Sequence, residues 1–243
     1  MSIIDEFFEK TKYAHLSESA QRKGVPIPPL ELPVPENAKT IPLPTPSSLN
    51  MPAMDVRTVM EQRSSLRKYT QSELTLEEFS YLLWITQGIK SITDRPVTFR
   101  NVPSAGSRHP FETYFLANRV GTLEPGLYRY SALEHCIYPH NMEVGINEKL
   151  TTACKEQSHI RTSAATFFWV AVIERTAWRY SERAARYVLL DAGHVCQNLY
   201  LAGESIQCGV CAIAAYDDDL LNDALGVNGK DKMVVYAATI GKR

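Results

Sequence analysis

Residues Ser181 to Ile206 constrain the fold more than any other stretch of this chain. They contain no proline and repeat with helical periodicity. Val188, Ala192, Val195, Leu199 and Ala202 share one face; Tyr187, Leu190, His194 and Leu201 share a second; Leu189, Gly193, Cys196 and Tyr200 lie on a third. A helix that is apolar nearly all round must be covered on every side. In a 243-residue chain this favours a central helix shared with a second copy, that is, a homodimer. His194, on such a helix, reads as a hydrogen-bonded core histidine. Apolar runs at Ala165 to Ile173 and Lys232 to Ile240 flank the helix in sequence and read as buried strands.

Nine of the fourteen prolines fall between Pro26 and Pro52. That density forbids a helix or a central strand and favours extended backbone. Val25, Ile27, Leu30, Leu32, Val34, Ile41 and Leu43 are interleaved with the prolines, more apolar groups than a free linker carries. Residues 1–52 are therefore expected to form an ordered arm laid across the body or a partner, with a disordered leader as the alternative. The body is expected over 53–243.

Within the body, a helix is predicted over Asp55 to Gln62. Thr75 and Glu78 form a capping box, Leu74 and Phe79 can form a hydrophobic staple, and Gly88 stops the helix that follows. Strands are expected at Thr113 to Val120, Gly126 to Ser131 and His135 to Tyr138. Asp217-Asp218-Asp219 reads as a helix N-terminus, where acids complement the dipole.

The formal net charge of −1 gives no electrostatic case for nucleic acid or an anionic membrane. The longest apolar run, Phe167 to Ile173, is far short of a membrane span of about 20 residues. The N-terminal residues lack a basic start and apolar stretch, and the five cysteines are an odd count without a framework. Both point to a cytoplasmic chain.

Two segments carry chemistry. Arg63-Ser64-Ser65-Leu66-Arg67 places two guanidiniums and two hydroxyls within about a turn of backbone, a donor set suited to phosphate; a solvated helix face is the plainer alternative. Pro103-Ser104-Ala105-Gly106-Ser107-Arg108-His109-Pro110 offers hydroxyls and unhindered backbone N–H groups on a loop containing glycine, or is only a turn before a strand. His109 is the more exposed histidine suited to proton donation, and Glu112 reads as a surface residue. Cys208-Gly209-Val210-Cys211 could be a redox pair or half a zinc site, but it follows a helix end. The better reading is small residues packing where the chain turns into Ala212-Ile213-Ala214, and no metal site is expected.

With these residues in view, Arg63 to Tyr69 resembles the flavin-phosphate motif of the nitroreductase superfamily. Phe79 to Ile89, Val102 to Gly106, Glu124 to Tyr130 and Arg186 to His194 are similar to the SagB-type dehydrogenase branch. The resemblance runs from about residue 54 to the C-terminus. It implies an α+β fold, a central antiparallel or mixed sheet flanked by helices around a long buried helix, and an intertwined dimer with FMN at the interface. Arg63, Ser64, Ser65 and Arg67 would hold the phosphate and ribityl chain, and Lys242 would add charge. Pro103, Ser104, Ala105 and Gly106 would reach the flavin from the other subunit. Cys211, Ala212, Ile213 and Ala214 would lie along the ring. The resemblance implies an oxidoreductase acting on a small-molecule or peptide substrate, with NADH or NADPH as electron donor. Azoline dehydrogenation is one alternative and a non-catalytic flavin scaffold another. Azoline-oxidising members carry a Lys-Tyr pair where this chain has Arg179-Tyr180. Arginine stays protonated and cannot act as a base, which leaves Tyr180, with His109, as the catalytic candidate.

Overall fold

A computed structural model describes residues 1–243. Its centre is a seven-stranded sheet in the order β1-β6-β5-β4-β7-β9-β8, every neighbouring pair antiparallel. The strands are β1 (Ile41–Pro42), β4 (Phe111–Ala117), β5 (Gly126–Ser131), β6 (Cys136–Asn141), β7 (Ala165–Val172), β8 (Cys208–Ile213) and β9 (Lys232–Lys242); β2 (Ile89–Ile92) and β3 (Thr98–Arg100) form a separate hairpin. The helices are α1 (Ile3–Lys10), α2 (Val56–Gln62), α3 (Leu76–Gln87), α4 (Ile146–Ala153), α5 (His159–Thr162), α6 (Ile173–Tyr180), α7 (Ala184–Ser205) and α8 (Asp218–Ala224). None is long and apolar enough to cross a membrane.

Every residue of β4, β5 and β7 is buried. Alternate side chains on these strands face opposite ways, so the sheet has a core on each face. Phe79, Leu82, Leu83, Phe115, Phe167, Trp169, Val188, Val195 and Leu199 join one core, built by α3 and α7 against the sheet. Leu116, Leu127, Leu150, Ile160, Phe168, Leu221 and Leu225 form the other, under α4, α5 and α8.

The local signals act as the chemistry requires. Thr75 accepts from the Glu78 N–H and Glu78 accepts from the Thr75 N–H, closing the capping box of α3. Asp217 caps α8 by accepting from the Leu220 N–H. The strand expected through Ile173 instead ends at Val172, and the chain turns directly into α6. Apolar, β-branched residues continue across that junction, so the pattern alone does not mark it. Helix α1 starts at a capping box of Ser2 and Asp5 that the proline-led reading of residues 1–52 passes over, while the hairpin β2–β3 and helix α4 carry no strong sequence signal.

On α7 the face Val188, Ala192, Val195, Leu199 and Ala202 is buried as its period requires. The opposite side is open: Leu189 is 54% and Leu190 is 59% exposed. His194 is also exposed rather than buried in a core, because nothing within the chain covers that face.

The N-terminal arm is hydrogen-bonded along the body. Ile41 and Pro42 pair with Ile137 and Cys136 at the edge of the sheet. Glu112, expected at the surface, is 1% exposed and lies beneath the arm. It meets Arg129 at 2.6 Å and Arg175 at 2.5 Å and accepts from the Leu32 N–H at 2.8 Å. Arg129 also donates to the Leu32 carbonyl and Arg175 to the Pro29 carbonyl. Glu31 in turn accepts from the N–H groups of Ala132 and Leu133.

Candidate functional site

The segment after α2 runs beside the sheet edge. Ser65 bridges Val210 of β8 in parallel sense, and the Leu66 N–H donates to the Val210 carbonyl at 2.9 Å. Gly209 makes this approach possible, since a Cβ there would lie 2.2 Å from Leu66 Cδ2. Tyr200 of α7 ties the pieces together. Its hydroxyl lies 3.0 Å from Ser65 Oγ, it accepts from the Ala212 N–H at 2.9 Å, and its ring carries the Arg63 guanidinium at 5.4 Å. Arg67 lies beside Cys211; burial pushes that thiol up and Arg67 opposes the shift. The fold thus gathers Arg63, Ser65, Arg67, Cys211 and Ala212 on one edge, with Ser64 exposed between the arginines and Ile213 and Ala214 continuing past Ala212.

Neither Arg63 nor Arg67 has a carboxylate partner. Two guanidiniums without a carboxylate partner, beside the exposed Ser64 hydroxyl and the Tyr200-held Ser65 hydroxyl, form a donor set suited to an anion such as a phosphate with several acceptor oxygens. Lys242 has partners of its own: it pairs with Glu78 and donates to the Ile206 carbonyl at 3.2 Å.

The second segment lies elsewhere on α7. Ser104 donates to one carboxylate oxygen of Asp191 at 2.6 Å and the Ala105 N–H to the other at 3.2 Å. Pro103 and Gly106 are exposed beside them. Gly106 has φ +58°, and a Cβ there would lie 2.5 Å from Tyr180 Oη. A side chain there would be strained by the positive φ and would push the Tyr180 hydroxyl aside, so glycine suits the position. Ser107 and His109 also hold positive φ, so the loop is strained as well as tied. Asp191 and Tyr200 are nine residues apart on one helix, about 13.5 Å at 1.5 Å per residue. Within one chain, Pro103 to Gly106 therefore sit more than two turns away from the Arg63 cluster.

His109 departs from expectation. It is 4% exposed, and burial first, then the Arg100 guanidinium, pushes its pKa down to about 3. It is neutral at physiological pH and is not an exposed proton donor. Cys208 and Cys211 are both buried on β8. Side chains three apart on a strand point to opposite faces, so the pair packs rather than forming one site.

Sequence reasoning missed Asp191 and Tyr200 as site residues. Both were placed on α7, but their contacts are to residues 87 and 135 positions away. No local pattern signals such partners.

Comparison with known proteins agrees with this geometry. The family model "Nitroreductase family" matches residues 60–242. A Methanocaldococcus jannaschii protein assigned as a nitroreductase is 33% identical over 169 residues, covering 70% of this chain and 83% of that protein. The trifolitoxin-processing protein TfxB of Rhizobium leguminosarum bv. trifolii is 29% identical over 107 residues, 42% of this chain and 29% of that protein. Among solved structures, a nitroreductase-type protein of Anabaena variabilis superposes with TM-score 0.69 at 27% identity over 85% of this chain; this chain spans only 42% of it. A chain of the Escherichia coli microcin synthetase McbBCD complex superposes with TM-score 0.62 at 16% identity, covering 99% of this chain and 92% of that one. The α+β architecture, the Arg-Ser cluster against the sheet edge and a family match over three quarters of the sequence converge: the chain belongs to the nitroreductase family of oxidoreductases.

Proposed function

We propose that the protein is an FMN-dependent oxidoreductase of the SagB-type branch, working as a homodimer on a small-molecule or peptide substrate. The observation that carries this reading is the pair Arg63 and Arg67, held beside Ser64, Ser65 and the small-residue ledge Cys211 to Ala214 with no carboxylate to neutralise them. This donor set fits the phosphate and ribityl chain of FMN, and the small side chains of half-buried Ala212 and exposed Ala214 leave room for a ring beside them. FMN, when bound, supplies the hydride-accepting group, with NADH or NADPH as donor. The residues of this chain bind and orient it. Arg63 and Arg67 hold the phosphate end, Tyr200 fixes Ser65 against β8, and the ledge lets the ring approach backbone.

Two features support the homodimer reading. Leu189, Leu190 and His194 lie open on α7, and Pro103 to Gly106 lie too far along that helix to serve the same chain's phosphate cluster. A partner covering α7 would bring its own Pro103 to Gly106 loop to the site.

A second reading, azoline dehydrogenation during peptide modification, draws on the likeness to the trifolitoxin-processing protein and to the microcin synthetase chain. Arg179 counts against the usual proton removal, because its guanidinium stays protonated; Tyr180, with its hydroxyl at Gly106, is the group left for it.

The test is the visible spectrum of the purified protein, followed by addition of NADH or NADPH and readmission of air. Flavin absorption that bleaches with a donor and returns in air is expected, with less bound flavin in a folded Arg63→Ala variant. Flavin that does not turn over with any donor would favour a scaffold. Protein that neither carries nor takes up FMN would overturn the cofactor assignment.

A further inference from the structure

A cleft of about 800 Å3 lies between the β2–β3 hairpin, the N-terminal arm and the end of α6. The cofactor residues leave most of it unexplained. Its distinctive lining group is Arg108, which is only 4% exposed. The Arg108 Nε has no hydrogen-bond partner, and no carboxylate pairs with its guanidinium. Burial, then the neighbouring Arg179 charge, lowers its pKa from the ordinary arginine range, yet a guanidinium keeps its proton at neutral pH. A buried cation without a counter-charge is costly to hold. Here it is held against an open cavity.

The surroundings prepare it for a planar anion. The guanidinium lies over the Trp178 ring at 5.3 Å, and a stacked guanidinium keeps its N–H edge available for two parallel hydrogen bonds. The arm fixes Trp178: its Nε1 donates to the Val25 carbonyl at 2.8 Å, and its own carbonyl accepts from the Gln21 N–H at 2.8 Å. Arg179 and the exposed Arg95 add guanidiniums at the rim, Phe99 and Ile27 supply apolar walls, and Asp94 on the hairpin turn is the one carboxylate there. The cleft ends at Gly106, the residue that touches Tyr180.

We infer that this cleft is a carboxylate subsite for the substrate, with Arg108 and Arg179 gripping the carboxylate and Trp178 and Phe99 flanking an apolar or aromatic body. The assignment as a substrate subsite rests on the flavin-oxidoreductase reading, which sets the Gly106 end of the loop beside the cofactor. A monoanion suits the cleft better than a phosphate dianion. Trp178 and Arg179 belong to the last turn of α6, whose carbonyl end opposes accumulated negative charge, and only one of the guanidiniums is desolvated.

The test is calorimetric titration of the purified full-length protein with benzoate, with benzamide as the uncharged isostere, and with inorganic phosphate. Benzoate is expected to bind about tenfold tighter than benzamide and tighter than phosphate. Arg108→Gln should abolish the preference for benzoate. If that variant fails to fold, Arg179→Gln, altered at an exposed side chain, should still weaken benzoate about threefold and leave benzamide unchanged. Equal binding of benzoate and benzamide, tighter binding of phosphate to protein whose Arg63–Arg67 cluster is saturated with FMN, or unchanged benzoate affinity in a folded Arg108→Gln protein overturns the subsite. Flavin content measured on the same samples separates the two readings. Flavin-bearing protein without discrimination removes the subsite and keeps the redox reading; discrimination by protein that cannot bind flavin keeps the anion site and removes the redox reading.

Discussion

Ser104 and Asp191 are joined by a 2.6 Å hydrogen bond that pins a strained loop to the middle of α7. The Ala105 N–H reaches the same carboxylate. Hydrogen bonds to a charged acceptor contribute about 1.5–3 kcal/mol each, and part of that offsets the burial that raises the Asp191 pKa. Asp191→Ala is expected to cost about 2 kcal/mol overall, a fall in Tm of roughly 4–8 °C for a chain of this size. Calorimetry checks it, and an unchanged Tm would mean the loop is held by packing alone.

Tyr200→Phe removes the hydroxyl that faces Ser65 and accepts from Ala212. The expected loss is about 1 kcal/mol of stability together with weaker FMN retention, read by urea unfolding and by flavin content after dialysis. Stability lost with flavin retention intact would separate Tyr200 from the cofactor site.

Glu112 pairs with two buried guanidiniums, one through each carboxylate oxygen. Glu112→Gln leaves both without a counter-charge, and breaking a buried pair this way costs about 3–5 kcal/mol. The arm should loosen with it, since Glu112 also accepts from the Leu32 N–H. Limited trypsin digestion is expected to cut after Arg22 or Lys23 faster than in the parent protein. Equal cutting rates would show that the arm is anchored without the ion cluster.

His109 gives the protein an acid-side weakness. Its folded-state pKa, about 3, lies below the ordinary histidine value of 6.5. Stability from this group is therefore fully present above pH 6.5 and is lost as pH falls toward 3. The slope from one such proton approaches about 1.4 kcal/mol per pH unit. A folded His109→Gln variant should show a shallower decline between pH 6 and about pH 4 in denaturant titrations; parallel curves would assign the acid sensitivity to other groups.

Leu190, 59% exposed on α7, reads out the proposed dimer. Light scattering of the parent protein is expected to give twice the chain mass. Leu190→Glu should shift it to the single-chain mass and release flavin. A parent protein that runs as a monomer with flavin bound would remove the shared site.

Much of this architecture could be read from the sequence where the determining contacts are local. The capping box of Thr75 and Glu78 spans one turn, and the buried face of α7 from Val188 to Ala202 follows its own period. The proposed anion site at Arg63 to Arg67 is a local reading too, because its donors fall within five consecutive residues. What stayed hidden depends on register. Glu112, Arg129 and Arg175 come from two strands and a helix and meet only once β4 is paired with β5 and β7. Burial of His109 likewise depends on β3 and Arg100, which no pattern near residue 109 reveals. His194 failed in the opposite sense, because an apolar helix says that a face must be covered without saying which chain covers it.

The pairing of Ile41 and Pro42 with β6 bears on how the protein behaves in a crowded solution. A seven-stranded antiparallel sheet has two flanks whose unpaired amides could recruit a strand from another molecule. On one flank the outermost strand is two residues long and ends in proline, which has no amide hydrogen to offer. On the other, Ser65 and Leu66 already occupy the Val210 position. Both borders of the sheet are thus closed by irregular chain, and the densest β-forming sequence in the molecule, Ala165 to Val172, has four strands between it and one border and two between it and the other, shielded from template-driven fibril growth.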